Sequence, residues 1–493
     1  MEQKQKTIKA ESHESLLSSL KETFRACADV VVQGYPSGEL HPAWPVILVY
    51  CEGLTDLKQI NQYVVPRIEH VSQESGKALP TELGLALTPI AHIGNIPDMN
   101  RLIFSGQLLL IFGSGQPAYS LDIASVPGRS PEESAIETSV KGPRDGFTEE
   151  LSTNIALIRK RLKSDSMCYE KFVQGERTQT SVALLYIKDV INPDILEEAR
   201  RNVNHIKIDG LMGTSVIERG VMGGVKTIFP LTDSTERPDY VVSSLLNGRF
   251  AVMFDGSPVA TIAPTTLFNQ LKSPEDESTP FFIVTFERIL RIAGLLIACF
   301  FPSFYIGLTS FNLEQVPLPL LATIAGTRMG LPLPVTLEAF LMIFMFELFN
   351  EAGRRLPRAL GQTVSVVGGL IIGDAAIRAG ITSPTIIVTV AISVISSYIL
   401  VNTVLSGVTS QVRIFLLLFS TTLGLYGFMI GLFVLLVHLA SLECYGVAYL
   451  SPVSPYIPGD FTQSVSMLPS KDRVNRPAAL RTQDSTRTGE DSS

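Results

Sequence analysis

Hydrophobic patterning divides the chain near Pro280. Upstream, short apolar runs alternate with charged stretches; downstream, apolar blocks of roughly 18 to 25 residues recur, the length a helix needs to cross a bilayer. In the upstream half, Leu16, Leu17, Leu20, Phe24 and Cys27 recur at helical spacing and predict a short amphipathic helix after a polar start. PVILVYCEGLTD, Pro45 to Asp56, reads as a buried strand followed by a helix to about His70. VALLYIKDVINPDILEEARR, Val182 to Arg201, repeats that order, with Asn192 and Pro193 at a cap and a first turn. SGQLLLIFGSGQPAYSLDI from Ser105 parallels NGRFAVMFDGSPVATIAP from Asn247, placing Gly106 with Gly248 and Phe112 with Phe254 as turn, strand, tight turn and strand.

These pairs predict an α/β part of two related subdomains, at 30–130 and 165–280. A tail and short helix precede them at 1–29, and a linker with a basic helix joins them at 131–164. The cluster Arg159, Lys160, Arg161 and Lys163 on that helix reads as a solvated face, with an interface or an anionic membrane surface as the alternatives.

The downstream half, 281–445, reads as an all-α polytopic membrane domain. Its five apolar blocks are Ile289 to Leu308, Leu333 to Phe349, Val364 to Ile381, Pro384 to Val404 and Ile414 to His438. Arg288 and Arg291, then Arg354, Arg355 and Arg358, then Lys471, Arg473 and Arg476 flank the blocks and place those flanks on the cytoplasmic side. With both ends cytoplasmic the number of crossings is even, so about four crossings plus one partial element are expected, with 446–493 as a cytoplasmic tail. The proline-bracketed segment Pro317 to Pro334 is expected to be a structured loop.

Charges inside these blocks are the candidate chemistry. A charged side chain at bilayer depth costs roughly 2.5 to 3.5 kcal/mol on the insertion scale, so it faces protein, a partner charge or water. Glu351 can pair with Arg355, and Asp374 with Arg378, one helical turn apart; these are candidate gating or structural ion pairs. Glu338 and Glu347 have no such local cation and point to nearly opposite helix faces. Each is a candidate for an ion pathway, where a ring of carboxylates in an oligomer would select cations; the alternatives are a salt bridge from Glu347 to Arg354 or a neighbouring subunit, and an interfacial place for Glu338 near Pro334. Gly368, Gly369 and Gly373 supply small surfaces for close helix packing.

Composition narrows the classes. A formal charge of −7 with no basic stripe argues against a nucleic-acid partner. The five cysteines are far apart, without metal-ligand spacing, and no phosphate-binding loop, nucleophile elbow or zinc motif is found. No enzyme, cofactor or metal is expected. The N-terminus lacks an apolar signal region, which predicts a head that stays in the cytoplasm.

Several separated segments then carry a resemblance. GPRDGFTEELSTNIALIRKRL (Gly142 to Leu162), TERPDYVVSSLLNGRFAVMFDGSPVATIAP (Thr235 to Pro264), SPED (Ser273 to Asp276), LEAFLMIFMFELFNEAGRRLPRALGQTVSVVGGLIIGDAAIRAGITSP and HLASLECYGVAYLSPVSPYIPGDF occur in the order found in the A subunit of GerA-type spore germinant receptors, which the chain resembles over about residues 30 to 465. The resemblance implies a multi-pass protein of the spore inner membrane, its head on the core side. It implies a permease-like B subunit and a lipoprotein C subunit as partners, and self-association, as a pentamer, into a nutrient-gated cation channel. A secondary transporter, which would show inverted repeats, and a non-conducting scaffold are the rival readings.

Overall fold

The computed structural model describes residues 13–35, 46–75, 83–90, 96–112, 118–125, 142–143, 145–355, 371, 373–469 and 473–487. Two units result. One comprises residues 1–225, 232–264 and 469–493, the other residues 226–231 and 265–468.

The first unit contains two five-stranded sheets. In one, β1 (Val30–Tyr35), β2 (Val46–Cys51), β3 (Thr88–Ile90), β4 (Gln107–Phe112) and β5 (Ala118–Asp122) stand in the order β1-β2-β4-β5-β3. In the other, β6 (Met167–Gln174), β7 (Thr180–Ile187), β8 (Asp233–Thr235), β9 (Phe250–Phe254) and β10 (Ala260–Ala263) stand in the order β6-β7-β9-β10-β8. The two orders are equivalent, as a duplicated unit requires. Every neighbouring pair in both sheets is antiparallel. The strands nevertheless read as unbroken apolar runs because helices cover both faces.

In the first subdomain, α1 (His13–Thr23) and α3 (Ile96–Ile103) pack on the face of Ile47, Val49, Leu109 and Ile111. The helical segment leading into α2 (Val65–Ser75) covers the face of Val46, Leu48, Leu108 and Leu110. Asp56 starts that segment, its carboxylate accepting from Lys58 N (2.9 Å). In the second subdomain, α4 (Leu151–Arg161) and α7 (Pro238–Leu246) cover Ala183, Leu185, Ala251 and Met253. Between them in sequence run α5 (Pro193–Asn204) and α6 (Thr214–Val221), whose Ile195, Ala199, Val203, Ile217 and Val221 are buried. Asn192 caps α5 as expected, its Oδ1 accepting from Asp194 N at 2.9 Å. Helix α4 serves both cores, since Ala156 packs with the first subdomain and Leu151, Ile155 and Ile158 with the second.

The second unit is helical. It contains α8 (Phe281–Phe311), α9 (Leu318–Arg328), α10 (Val335–Arg355), α11 (Pro384–Ser397), α12 (Thr403–Ser441) and α13 (Pro458–Val465). Helices α8 and α12, of 31 and 39 residues, are long and apolar enough to cross a membrane. The run Pro317 to Pro334, expected as a loop, holds α9, because Pro317 and Pro319 sit at the helix start, where a missing N–H costs nothing.

Helix α12 is a hairpin. Gly424 breaks it with φ 63° and ψ −142°, and beyond it a Cβ built on Gly431 would lie 3.0 Å from Leu416 Cδ2. Residues 15 apart along one straight helix would be separated by roughly 22 Å. The arm after Gly424 therefore returns alongside the arm before it, and Phe428 reaches back to Phe304 with ring centroids 5.7 Å apart. The last apolar block, expected as one segment, is part of this folded pair. Its turn needs glycine, because a Cβ at Gly424 would stand 2.6 Å from Phe311 Cβ.

Candidate functional site

The helical unit buries more charge than local pairing predicts. Asp276, in the SPED segment, accepts from Arg288 Nε (2.8 Å) and Arg291 Nη1 (3.0 Å), and all three side chains are buried. Ser273 Oγ caps the short turn that carries Asp276, accepting from Glu275 N at 3.3 Å. Arg288 also donates to Gln463 O (3.0 Å) and Arg291 to Leu271 O (3.2 Å). The two arginines, expected as simple flanking charge, are thus bound in a buried cluster. The segment 265–280, placed with the head by composition, packs with the helices for the same reason.

Glu338, on the first turn of α10, is fully buried. Its Oε2 accepts from Ser383 N (3.0 Å) and Ser383 Oγ (3.1 Å), and Arg328 Nη2 stands 3.4 Å from Oε1. Ser383 is the N-cap of α11, so the carboxylate meets the positive end of that helix. Glu338 therefore joins α9, α10 and α11 within one chain.

Glu347 faces the other way, towards α12. Its Oε1 accepts from Ser410 Oγ (2.5 Å) and lies 3.6 Å from Arg413 Nη2, with 30% of the side chain exposed. Arg413 is wholly buried; Nη2 also donates to Ser410 Oγ (3.2 Å), while Nε and Nη1 have no hydrogen-bond partner among the described residues. Below it, Ser303 Oγ donates to Arg413 O (3.3 Å) and Ser420 Oγ to Ser303 O (2.5 Å), tying α8 to both levels of α12. The site thus holds a loosely paired, buried guanidinium beside a partly exposed carboxylate among apolar helices.

Of the expected local pairs, Asp374 and Arg378 meet at 2.8 Å, both exposed. The Arg355 side chain, expected to pair with Glu351, lies outside the described residues, as do Gly368 and Gly369. Gly373 packs against α11, where its Cβ would meet Ile387 Cγ2 at 3.5 Å. In the helical unit, the pairings of Asp276, Arg328 and Arg413 are not readable from local sequence spacing. The signal for Arg413 was its place between Gln411 and an unbroken apolar run, where it read as a boundary.

In the first unit the basic cluster of α4 divides: Lys160 and Lys163 are exposed, whereas Arg159 is not. Arg159 is fully buried and grips Asp29 through Nε (2.7 Å) and Nη2 (3.0 Å), donates to Ser164 O (2.9 Å) and lies 4.4 Å from the Phe104 ring centroid. Burial opposes ionisation of Asp29, but the guanidinium beside it holds the carboxyl below its ordinary range. Burial also raises the Cys51 thiol, which sits 3.5 Å from Asp29 Oδ2. Arg161 is spent on Asp145 at 2.6 Å. A cavity of about 620 Å³ opens beside this joint, lined by Asp29, Glu52, Glu150, Asp255 and Lys171. Among the described residues, no three His, Cys, Asp or Glu side chains converge as metal ligands.

Comparison with known proteins identifies a family. The family described as Bacillus/Clostridium GerA spore germination protein matches residues 18–479. Spore germination protein XA of Bacillus anthracis is 39% identical over 474 residues, covering 95% of this chain and 96% of its own. Spore germination protein KA of Bacillus subtilis (strain 168) is 34% identical over 490 residues, covering 97% of this chain and 89% of its own. The crystal structure of the N-terminal domain of the A subunit of the Bacillus megaterium spore germinant receptor GerK3 aligns with a TM-score of 0.38 at 25% identity, covering 51% of this chain and 94% of that one.

Proposed function

The chain belongs to the GerA family of spore germination proteins, and we propose that it is the A subunit of a nutrient-sensing germinant receptor in the spore inner membrane. Several copies, assembled with a permease-like B subunit and a lipoprotein C subunit, form its gated cation channel. The observation that carries this reading is the charge held inside the apolar helices, above all Glu347 beside the incompletely bonded Arg413. A half-exposed carboxylate on such a helix is the element from which an oligomer builds a cation-attracting ring. Glu338, wholly enclosed, positions α9 and α11 around α10.

In this proposal α8, α10 and the two arms of α12 are the long passes, and the fourteen-residue α11 is the shorter element. An even set of long passes leaves the head and the returning tail on one side, which this reading takes to be the core side. Ligand binding by a partner subunit shifts the assembly between closed and conducting packings, through its differential affinity for the two.

Cation flux from liposomes holding the purified chain tests the reading. Glu347→Gln is expected to lower germinant-triggered cation release roughly tenfold, the equivalent of about 1.4 kcal/mol in barrier, while Glu338→Gln lowers the amount of folded chain. Unchanged flux and selectivity in Glu347→Gln would remove that residue from the pathway. A second reading, a non-conducting scaffold, is favoured by the fact that both carboxylates have partners within one chain; silent liposomes would select it, and gradient-coupled uptake would select a transporter.

A further inference from the structure

The two α/β subdomains differ at one corresponding place. After β2, Leu54 N and Thr55 N both bond Cys51 O (3.1 Å each), and Asp56 caps the helical turn beyond; after β7, Val190 N and Ile191 N both bond Ile187 O (3.1 and 2.9 Å), and Asn192 caps α5. The freed carbonyl of this turn has a partner in each case. Leu54 O accepts from Ser125 N at 2.9 Å, just past β5, whereas Val190 O accepts from Gln483 N at 3.0 Å, in the C-terminal segment. The glycine before the fourth strand agrees. A Cβ on Gly106 (φ 90°) would lie 2.8 Å from Ala124 Cβ, and one on Gly248 (φ 92°) would overlap Thr482. Residues 482–483 thus stand in the second subdomain where 124–125 stand in the first.

The seat is open because the chain leaves it. β10 pairs with β9 as far as Ala263 opposite Phe250, and then Thr265 N turns to Leu231 O (3.3 Å) and Leu267 N to Tyr449 O (2.9 Å) in the helical unit. The C-terminal segment is held on all sides. Arg476 Nε donates to Leu246 O (2.8 Å), Gln483 Nε2 to Ile191 O (3.0 Å), and Leu480 is buried. Arg476 also pairs with Asp484 at 2.9 Å, and Arg476 N bonds Ser485 O (2.8 Å), so the segment closes into a short loop on itself. The carbonyls of Val190, Ile191 and Leu246 thus all accept from this looped segment, through the Gln483 amide and the Gln483 and Arg476 side chains.

We propose that this seat is a peptide-binding site whose occupant is the chain's own segment 473–487, acting as a strap. It ties the chain leaving the last apolar helix to the subdomain that the chain left before the first, and the receptor's response requires it docked. That last clause rests on the receptor reading above; the docking does not.

A fluorescent peptide of residues 473–487 is titrated against the membrane-inserted chain ending at residue 472 and against the full chain. Binding to the shortened chain alone is expected, weakened about tenfold when the peptide carries Arg476→Ala and Gln483→Ala, the loss of two side-chain hydrogen bonds. Equal binding to both chains, or to neither, overturns the seat. If the shortened chain fails to fold, trypsin on the full chain decides: Arg476→Ala with Gln483→Ala is expected to speed cleavage after Arg481 and Arg487 about tenfold, in proportion to the undocked population, and an unchanged rate overturns docking. Spores carrying that double variant at normal abundance are expected to lose germinant-triggered cation release. Normal release with a freed strap overturns its role in the response, and absence of release from unaltered spores overturns the receptor reading instead.

Discussion

Arg159 and Asp29 are enclosed together, so removing either leaves a buried charge without its counter-ion. Asp29→Asn is expected to destabilise the first unit by about 3–5 kcal/mol, read as a lower thermal midpoint of the purified chain. Its pH dependence has a definite sign. The folded carboxyl titrates below the unfolded value, so the stabilisation is complete above about pH 4 and disappears as pH falls through the depressed folded value. Unfolding that sets in between pH 5 and 7 and vanishes in Asp29→Asn would contradict this. Asp276→Asn leaves Arg288 and Arg291 uncompensated in the same way, and less folded chain in detergent is the expected outcome. Neither pairing was legible in the sequence, because the partners are far apart along it. Arg159 sits in a run of cations that looks solvated, and Asp276 sits in a polar motif whose order is readable while its reach is not. The local pair Asp374 with Arg378 was readable, since helical spacing alone brings its members together.

At the scale of elements, period and punctuation carried most of the fold. The hairpins β4–β5 and β9–β10, the cap at Asn192 and the helices covering Leu16 and Ile155 follow from apolar spacing and turn residues. The reversal at Gly424 did not, because a glycine inside apolar sequence leaves the hydrophobic period unbroken on either side. Gly424→Val is expected to cost a few kcal/mol, combining about 1–2 for a left-handed backbone with about 1–3 for overlap with Phe311. Single cysteines introduced beside Gly424 should react with an impermeant thiol reagent from the face opposite to cysteines placed near Thr403 and Ser441. Labelling of all three from one face would refute the hairpin crossing.

For the whole molecule, the matching strand orders make one subdomain a built-in control for the other. In a chain stopped after Pro264, amides near Val190, Ile191 and Gly248 are expected to exchange with solvent faster than in the full chain, while those near Leu54 and Gly106 stay as protected; equal exchange in both chains would show that 473–487 adds no stability there. The location of that segment also sets a schedule. A ribosome adding about 5–20 residues per second delivers the completing residues of the second sheet on the order of ten to forty seconds after β10, with every apolar helix made in between. A newborn polypeptide therefore keeps the carbonyls of Val190, Ile191 and Leu246 without these donors until residues 476–483 are made.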